Sequence, residues 1–211
     1  PPLRRRSVMS SRSDEWVLVT GFGPFPGVPV NPTQALAEAL HGRTFEGLRV
    51  VARVLDVAFE RSAAQLREAL SEGWPRALIH FGVAQDARRV RIEARAVNRI
   101  ASNTPDVDGH RFTAAPVLPE RASDVALSTR VATDDLAASL DAAALPARVS
   151  DDAGRYVCNA LYCHSLALVD EAGLDVPSLF VHVPPTGSHG WTEARLRDAA
   201  HHVVGWVASR S

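Results

Sequence analysis

Three short apolar runs constrain the fold of this chain more than any other feature of its sequence. The runs are Trp16–Thr20, Ala77–Gly82 and Ser178–Val183, and each is stopped by glycine or proline. Strands that are buried on both faces of a parallel sheet read as continuous apolar segments rather than as alternating ones. We therefore predict that all three runs are strands of one sheet that is covered by helices on both faces.

The segments between these runs complete an alternation of strands with helices. We predict helices at 33–40, 58–70, 134–144, 156–172 and 191–208, further strands at 48–57 and 146–150, and a half-exposed strand at 88–98. Such alternation implies right-handed crossovers and parallel neighbouring strands. The predicted fold class is α/β, a single-domain α/β/α sandwich with a mostly parallel central sheet. Ligands of such sheets bind at the carboxyl ends of the strands.

The length of 211 residues suits one domain. We expect residues 16–211 to form it and residues 1–15 to be a disordered N-terminal extension, with Met9 as the natural start. No stretch approaches the roughly 20 apolar residues that a membrane-spanning helix needs. The formal net charge of −1 gives no field that would attract nucleic acid or an anionic membrane.

The stretch from Arg99 to Ser128 carries four prolines and glycines without a sustained period. It is longer than most connections in compact domains, and such loops are usually functional or mobile. We therefore expect a lid in this stretch.

Cys158 is the candidate nucleophile. Ser150, Asp151 or Asp152 can cap the helix that follows, which would place the Cys158 sulfur near the first turn, where the helix dipole favours the thiolate. The alternative for Cys158 is a small buried side chain, and we expect that role for Cys163, which lies deeper in the helix. Both cysteines should be free thiols, which indicates a cytoplasmic setting.

A thiol nucleophile needs an imidazole, and His182 is the first candidate. It is the penultimate residue of a predicted buried strand, immediately before the chain leaves the sheet. His80 has a similar position and is the second candidate, while a buried, hydrogen-bonded histidine is the alternative for both. His164 lies six residues after Cys158 along one helix, about 9 Å away, which is too far for contact.

Glu93 is the candidate acid that would orient the base. It lies in the alternating segment 88–98, where an isolated carboxylate is commonly a solvated residue on the exposed face of a strand. No spacing relates Glu93 to His182. From the residues alone, the acid therefore stays an open assignment.

A turn rich in glycine and proline follows the first strand, with the sequence VTGFGPFPGVPVNPT at residues 19–33. It lacks the third glycine of a dinucleotide fingerprint and the Lys-Ser/Thr of a P-loop, so phosphate binding is disfavoured. Its two aromatic rings, Phe22 and Phe25, leave open a ligand that contacts aromatic side chains. Two core phenylalanines and an Asn31 that caps the next helix are the alternative.

Four segments together resemble the pyroglutamyl peptidase I family, the pyrrolidone-carboxylate peptidases, which are cysteine peptidases that remove an N-terminal pyroglutamate. The segments are TGFGPFPGVPVNPT, HFGVAQDARRVRIEARAVN, DDAGRYVCNALYC and LFVHVP, in the family's order. The resemblance runs from about Val17 to about Pro184. It implies Cys158 as nucleophile, His182 as base and later acid, and Glu93 as the group that orients the imidazole.

The resemblance also implies a substrate pocket. Phe22 and Phe25 would enclose the five-membered lactam, Asn31 would donate to its carbonyl, and Val83 and Val157 would line the same pocket. It implies no cofactor and no metal, and the spacing of the two cysteines with His164 matches no zinc site. The expected partners are small peptides with N-terminal pyroglutamate. Whether the chain forms a homo-oligomer, a dimer or a tetramer, stays open.

Two positions depart from the family's pattern. Asn103 stands where many relatives have an arginine, and Val107 replaces the asparagine of an Asp-Asn-x-Gly turn. Arg99 is a nearby candidate to replace the arginine. These departures keep an alternative function open, a relative with weak or no catalysis that binds a pyroglutamyl or other small ring between Phe22 and Phe25.

Overall fold

A seven-stranded sheet forms the centre of the computed structural model, which describes residues 15–211. The strands of the chain are β1 (Trp16–Phe22), β2 (Thr44–Phe45), β3 (Leu48–Leu55), β4 (Ala77–Val83), β5 (Val90–Glu93), β6 (Arg95–Val97), β7 (Ile100–Ser102), β8 (Phe112–Ala115), β9 (Ala126–Ser128), β10 (Ala147–Ser150) and β11 (Ser178–Val183). The order in the central sheet is β10-β5-β11-β4-β1-β3-β2. Residues 1–14 of the predicted N-terminal extension lie outside the described residues.

Most neighbours in this sheet are parallel. β3, β1, β4 and β11 run in one direction, and β10 is parallel to β5. β5 runs antiparallel to β11, and β2 antiparallel to β3. The three apolar runs are the adjacent strands β1, β4 and β11, as their continuous apolar character predicts.

Helices cover both faces of the sheet. They are α1 (Pro32–Leu40), α2 (Phe59–Leu70), α3 (Thr133–Ala142), α4 (Val157–Glu171) and α5 (Glu193–Ala208). Leucines of α1, α3 and α5 pack into one apolar cluster, and those of α2 and α4 pack into a second on the opposite face. The predicted α/β/α sandwich with a mostly parallel sheet is confirmed. Within residues 15–211, no helix is both long enough and apolar enough to cross a membrane.

The prediction of one half-exposed strand at 88–98 is wrong. The segment divides into β5, in the central sheet, and β6, which pairs with β9 in a separate two-stranded sheet. Its alternating charges suggested a solvated face. The face is instead covered, since Glu93 is 0% exposed and only 16% of the Arg91 side chain is accessible.

The stretch from Arg99 to Ser128 is not irregular throughout. It contains β7, β8 and β9, and the buried carboxylate of Asp106 holds its middle part. Asp106 accepts hydrogen bonds from the backbone N–H groups of Phe59, at the start of α2, and of Asp108 and His110. Opening this segment would break the hydrogen bond from Phe59 N, the one of these three donors that lies outside it, and the expectation of a lid stays a prediction.

A chain of buried polar groups connects α4 to the sheet. His80 accepts or donates hydrogen bonds of 2.8 Å at both ring nitrogens, to Thr20 Oγ1 and to Ser165 Oγ. Ser165 Oγ lies a further 2.8 Å from Ser178 Oγ. His80 is therefore a hydrogen-bonded core histidine. Its neutral ring satisfies two hydroxyl groups, and burial lowers its pKa from 6.5 to about 3.

We predict that acid destabilises the protein through His80. Between pH 6.5 and 3 the unfolded histidine binds a proton that the folded one excludes, so stability falls as pH falls. This group should remove about 1.4 kcal/mol from the free energy of unfolding per pH unit in that window. Urea unfolding of the parent and of His80→Asn at several pH values would measure it.

The control is Thr20→Val, which removes a hydrogen-bond partner but keeps the titrating ring. It should lose stability at pH 7 and keep the parent's pH dependence, whereas His80→Asn should show a flatter one. Parallel curves for the parent and His80→Asn would contradict the assignment.

Candidate active site

The site lies on the face of the sheet that α4 covers. In a strand pair, residues directly opposite each other point to the same face, and so do residues two positions along. The register places Gly82 of β4 opposite His182, and Glu93 of β5 opposite Phe180. Because Phe180 and His182 share a face, the side chain of Glu93 points toward the imidazole on the diagonal.

Glu93 and His182 form a buried pair. The distance from Glu93 Oε1 to His182 Nδ1 is 2.8 Å, and the two residues are 0% and 6% exposed. Within residues 15–211, the second oxygen, Oε2, has no hydrogen-bond partner. A carboxylate this deep with one partner interacts strongly with that partner, so it holds the ring in place and leaves Nε2 available to Cys158.

Cys158 is the second residue of α4 and is half-buried. The predicted position in the first turn is confirmed, but the predicted caps at residues 150–152 are wrong. Asp152 binds Gly154 N and Arg155 in a turn before the helix. The N-cap is Tyr156, which makes no side-chain cap. The first backbone N–H groups of α4, the turn that carries Cys158, therefore have no side-chain acceptor at the N-cap.

The imidazole of His182 is tuned by its two neighbours. Burial lowers its pKa, but the hydrogen bonds and charges of Cys158 and Glu93 outweigh burial and raise the pKa from 6.5 to about 9. The raised pKa favours the imidazolium form of the ring at neutral pH.

Gly82 makes room for this arrangement. A Cβ at Gly82 would lie 2.9 Å from Cys158 Sγ and 2.8 Å from Cζ of Phe180. Neither distance is tolerated between real atoms. The sulfur therefore occupies the space that any other residue at position 82 would fill, directly opposite His182 in the register.

The turn after β1 places its two phenylalanines differently. Phe22 is 2% exposed and packs against Phe180 at 6.5 Å between ring centres. Phe25 is half-buried and lies 6.4 Å from the ring of Tyr156. Both rings belong to the α4 side of the core, but each contacts a different partner.

Asn31 is the N-cap of α1. Its Oδ1 accepts from Thr33 N and Thr33 Oγ1, and its Nδ2 donates to Gly23 O. Of the two remaining predicted lining residues, Val157 is 0% exposed, while Val83 is half-buried at the end of β4. Cys158, His182 and Glu93 come together, whereas Asn31 and Val83 lie at the edge of the site.

The sequence did not reveal the structural roles of three residues near the site. The Tyr156 hydroxyl donates to Pro105 O, and the buried amide of Asn159 exchanges hydrogen bonds with the backbone of β6. Asn98 binds the backbone at Leu118 through both ends of its amide. All three residues lie in the quoted motifs, and that was the available signal.

One group of side chains has a spacing that suits a metal ion. The ligand atoms of Asp106, Asp108 and His110 lie within 4.8 Å of one another. Asp106 already accepts three backbone N–H groups, and Asp108 forms a bidentate pair with Arg61. These bonds account for the cluster, and we assign no metal to it.

Comparison with known proteins gives consistent results. The profile of a family described as pyroglutamyl peptidase matches residues 15–192. The pyrrolidone-carboxylate peptidase of Pyrococcus furiosus is 34% identical over 168 residues, covering 80% of each chain. That of Mycobacterium tuberculosis is 35% identical over 171 residues, covering 80% of this chain and 76% of the relative.

Solved structures agree. The P. furiosus pyrrolidone carboxyl peptidase superimposes with a TM-score of 0.87 at 29% identity, covering 92% of this chain and 98% of that one. The enzyme of Fervidobacterium islandicum AW-1 gives 0.85 at 28% identity, covering 92% and 99%. With the profile match over most of its length, the chain belongs to the pyroglutamyl peptidase family.

Proposed function

We propose that this protein is a cysteine exopeptidase that hydrolyses the bond after an N-terminal pyroglutamyl residue. The observation that carries the proposal is that three reactive side chains from different elements lie next to one another. They are Cys158 of α4, His182 of β11 and Glu93 of β5. Membership of a family of pyroglutamyl peptidases supports the substrate class. Each group has a distinct task.

The proposed reaction begins with attack of the Cys158 thiolate on the pyroglutamyl carbonyl carbon. As the tetrahedral intermediate collapses, the C–N bond breaks and the Nε2 proton of His182 passes to the leaving amine. Water then attacks the thioester while His182 takes one of its protons. The sulfur leaves as thiolate, and free pyroglutamate is released.

The start of α4 supplies donors for the negative oxygen of the intermediate. The first backbone N–H groups of a helix have no intrahelical acceptor, and the helix dipole favours negative charge there. No acidic side chain occupies the first turn of α4. We assign the oxyanion to backbone amides around Cys158.

The ring of the substrate would lie between the turn after β1 and the start of α4. The half-buried rings of Phe25 and Tyr156 supply aromatic surface there, while Phe22 supports it from the core. Asn31 as donor to the lactam carbonyl stays a prediction. One of its amide hydrogens is used by Gly23 O, and the other has no acceptor among residues 15–211.

We further propose a cytoplasmic location and small pyroglutamyl peptides as substrates. Both cysteines are free, which suits a reducing compartment. The alternative, a binding protein without turnover, is disfavoured by the imidazolium beside Cys158 and by the buried Glu93, since ring binding alone needs neither.

We predict that Cys158→Ser lowers kcat/KM for a pyroglutamyl fluorogenic amide by at least about 10³-fold, since removing one member of a catalytic unit disables the unit. Cys163→Ser is the matched control. Cys163 is a buried thiol in the same helix and should leave activity near that of the parent. Turnover that survives Cys158→Ser but not Cys163→Ser would refute the assignment, and a parent without turnover would favour the binding protein.

We predict that Glu93→Gln moves the alkaline limb of the pH profile to lower pH. The charge of Glu93 helps to raise the pKa of His182 to about 9, so its loss lets the imidazolium proton leave earlier. The apparent pKa of this limb is a property of the coupled pair of Cys158 and His182. Profiles of kcat/KM from pH 5 to 10 for parent and variant would measure the shift, and superimposable profiles would remove Glu93 from the mechanism.

We predict that Gly82→Ala reduces kcat/KM by about 100-fold, because the new methyl group must displace Cys158 Sγ or the ring of Phe180. Gly205→Ala is the control, since its Cβ would meet Phe45 at an ordinary 3.5 Å. Thermal melts must accompany the assay. Full activity in folded Gly82→Ala would show that the sulfur has room to move.

A further inference from the structure

A groove lies beside the ends of the two strands that bear the site. It encloses about 340 Å³. Its walls are the turn before α1, the chain just after β4, the chain just after β11 and the first turns of α5. The side chains that bound it include Val30, Val83, Leu36, Leu196 and Arg197.

The groove and the proposed catalytic centre lie at the same carboxyl ends of β4 and β11, on opposite faces of the sheet. Val83 directly follows Gly82, whose Cα faces the Cys158 sulfur, and Pro185 comes three residues after His182. The turn that carries Phe25 toward α4 carries Val28 and Val30 into the groove. A peptide held at Cys158 therefore reaches the groove by crossing the ends of β4 and β11.

The floor and lip of the groove are apolar. Leu36 and Leu196 are 2% and 1% exposed, and Val28 is 7% exposed. Val30 is 82% exposed, the largest exposure of any large apolar side chain among residues 15–211. Covering the exposed side chain of Val30 with an apolar side chain of a ligand removes apolar surface from water and gains free energy, whereas the floor is already buried.

Polar groups stand at the rim. Gln85, Glu193 and Arg197 line the groove and are exposed. Within the described part of the chain, none of the three makes a side-chain hydrogen bond or an ion pair. The amide of Gln85 is thus available to a peptide backbone, and the guanidinium of Arg197 to a carboxylate.

We propose that this groove binds the leaving side of the substrate, the residues that follow pyroglutamate. The first of them places an apolar side chain against Val30, Leu36 and Leu196, and the terminal carboxylate of a short peptide pairs with Arg197. The inference rests on the proposed function and adds its substrate class, short pyroglutamyl peptides with an apolar second residue.

The test compares pyroglutamyl-leucinamide with pyroglutamyl-glycinamide, which differ by one side chain. The parent should prefer the leucyl substrate by about tenfold in kcat/KM, as expected for an isobutyl group in a partly open apolar groove. Ala35→Trp fills the groove from an exposed position of α1 and should bring the ratio near one. Ala138→Trp, on the exposed side of α3, is the matched control and should keep the parent's ratio.

Arg197→Gln provides the second measurement. It should remove a preference for pyroglutamyl-leucyl-alanine with a free carboxylate over the same peptide amidated, and leave the leucyl-to-glycyl ratio as in the parent. An equal ratio in parent and Ala35→Trp would overturn the proposal.

A second copy of the chain is the competing occupant. If Val30→Ser changes the oligomeric state, measured by sedimentation, and leaves the leucyl-to-glycyl ratio unchanged, the groove is a subunit interface and the proposal fails. Failure of the parent to cleave either dipeptide amide would instead refute the proposed function. The two failures are therefore distinguishable.

Discussion

The pair of Glu93 and His182 is the interaction on which the rest of the site depends. A carboxylate with 0% exposure and a single partner is stable only if that partner is positively charged or donates a hydrogen bond. The sheet register brings the partner to it, and the close packing of α4 over Gly82 keeps water away. The same burial makes the two members of the pair costly to separate.

Much of the architecture could be predicted from the sequence. The runs Trp16–Thr20, Ala77–Gly82 and Ser178–Val183 are buried adjacent strands, as their continuous apolar character, short length and glycine or proline stops predict. The position of Cys158 near a helix start was predicted from caps at residues 150–152, and the position is right although those caps are wrong. In both cases the signal is local, so a reading of neighbouring residues recovers it.

The pairing of Glu93 with His182 could not be predicted from the residues alone. The alternation around Glu93 resembles that of a solvated strand, and only the antiparallel register against β11 turns this face inward. Resemblance to the family supplied what spacing did not. The hydrogen bonds of Asn98 to Leu118 and of Asp106 to Phe59 could not be predicted either, because these backbone groups belong to distant segments.

The reversed direction of β5 has a consequence for how the chain acquires its chemistry. Glu93 and His182 are 89 residues apart, so they meet only after a long loop has closed and the edge strand has found its register. A slip of one residue would turn the carboxylate to the opposite face. A nascent or partly folded chain therefore holds Cys158 without the Glu93–His182 pair beside it, and the proposed active site forms together with the finished sheet.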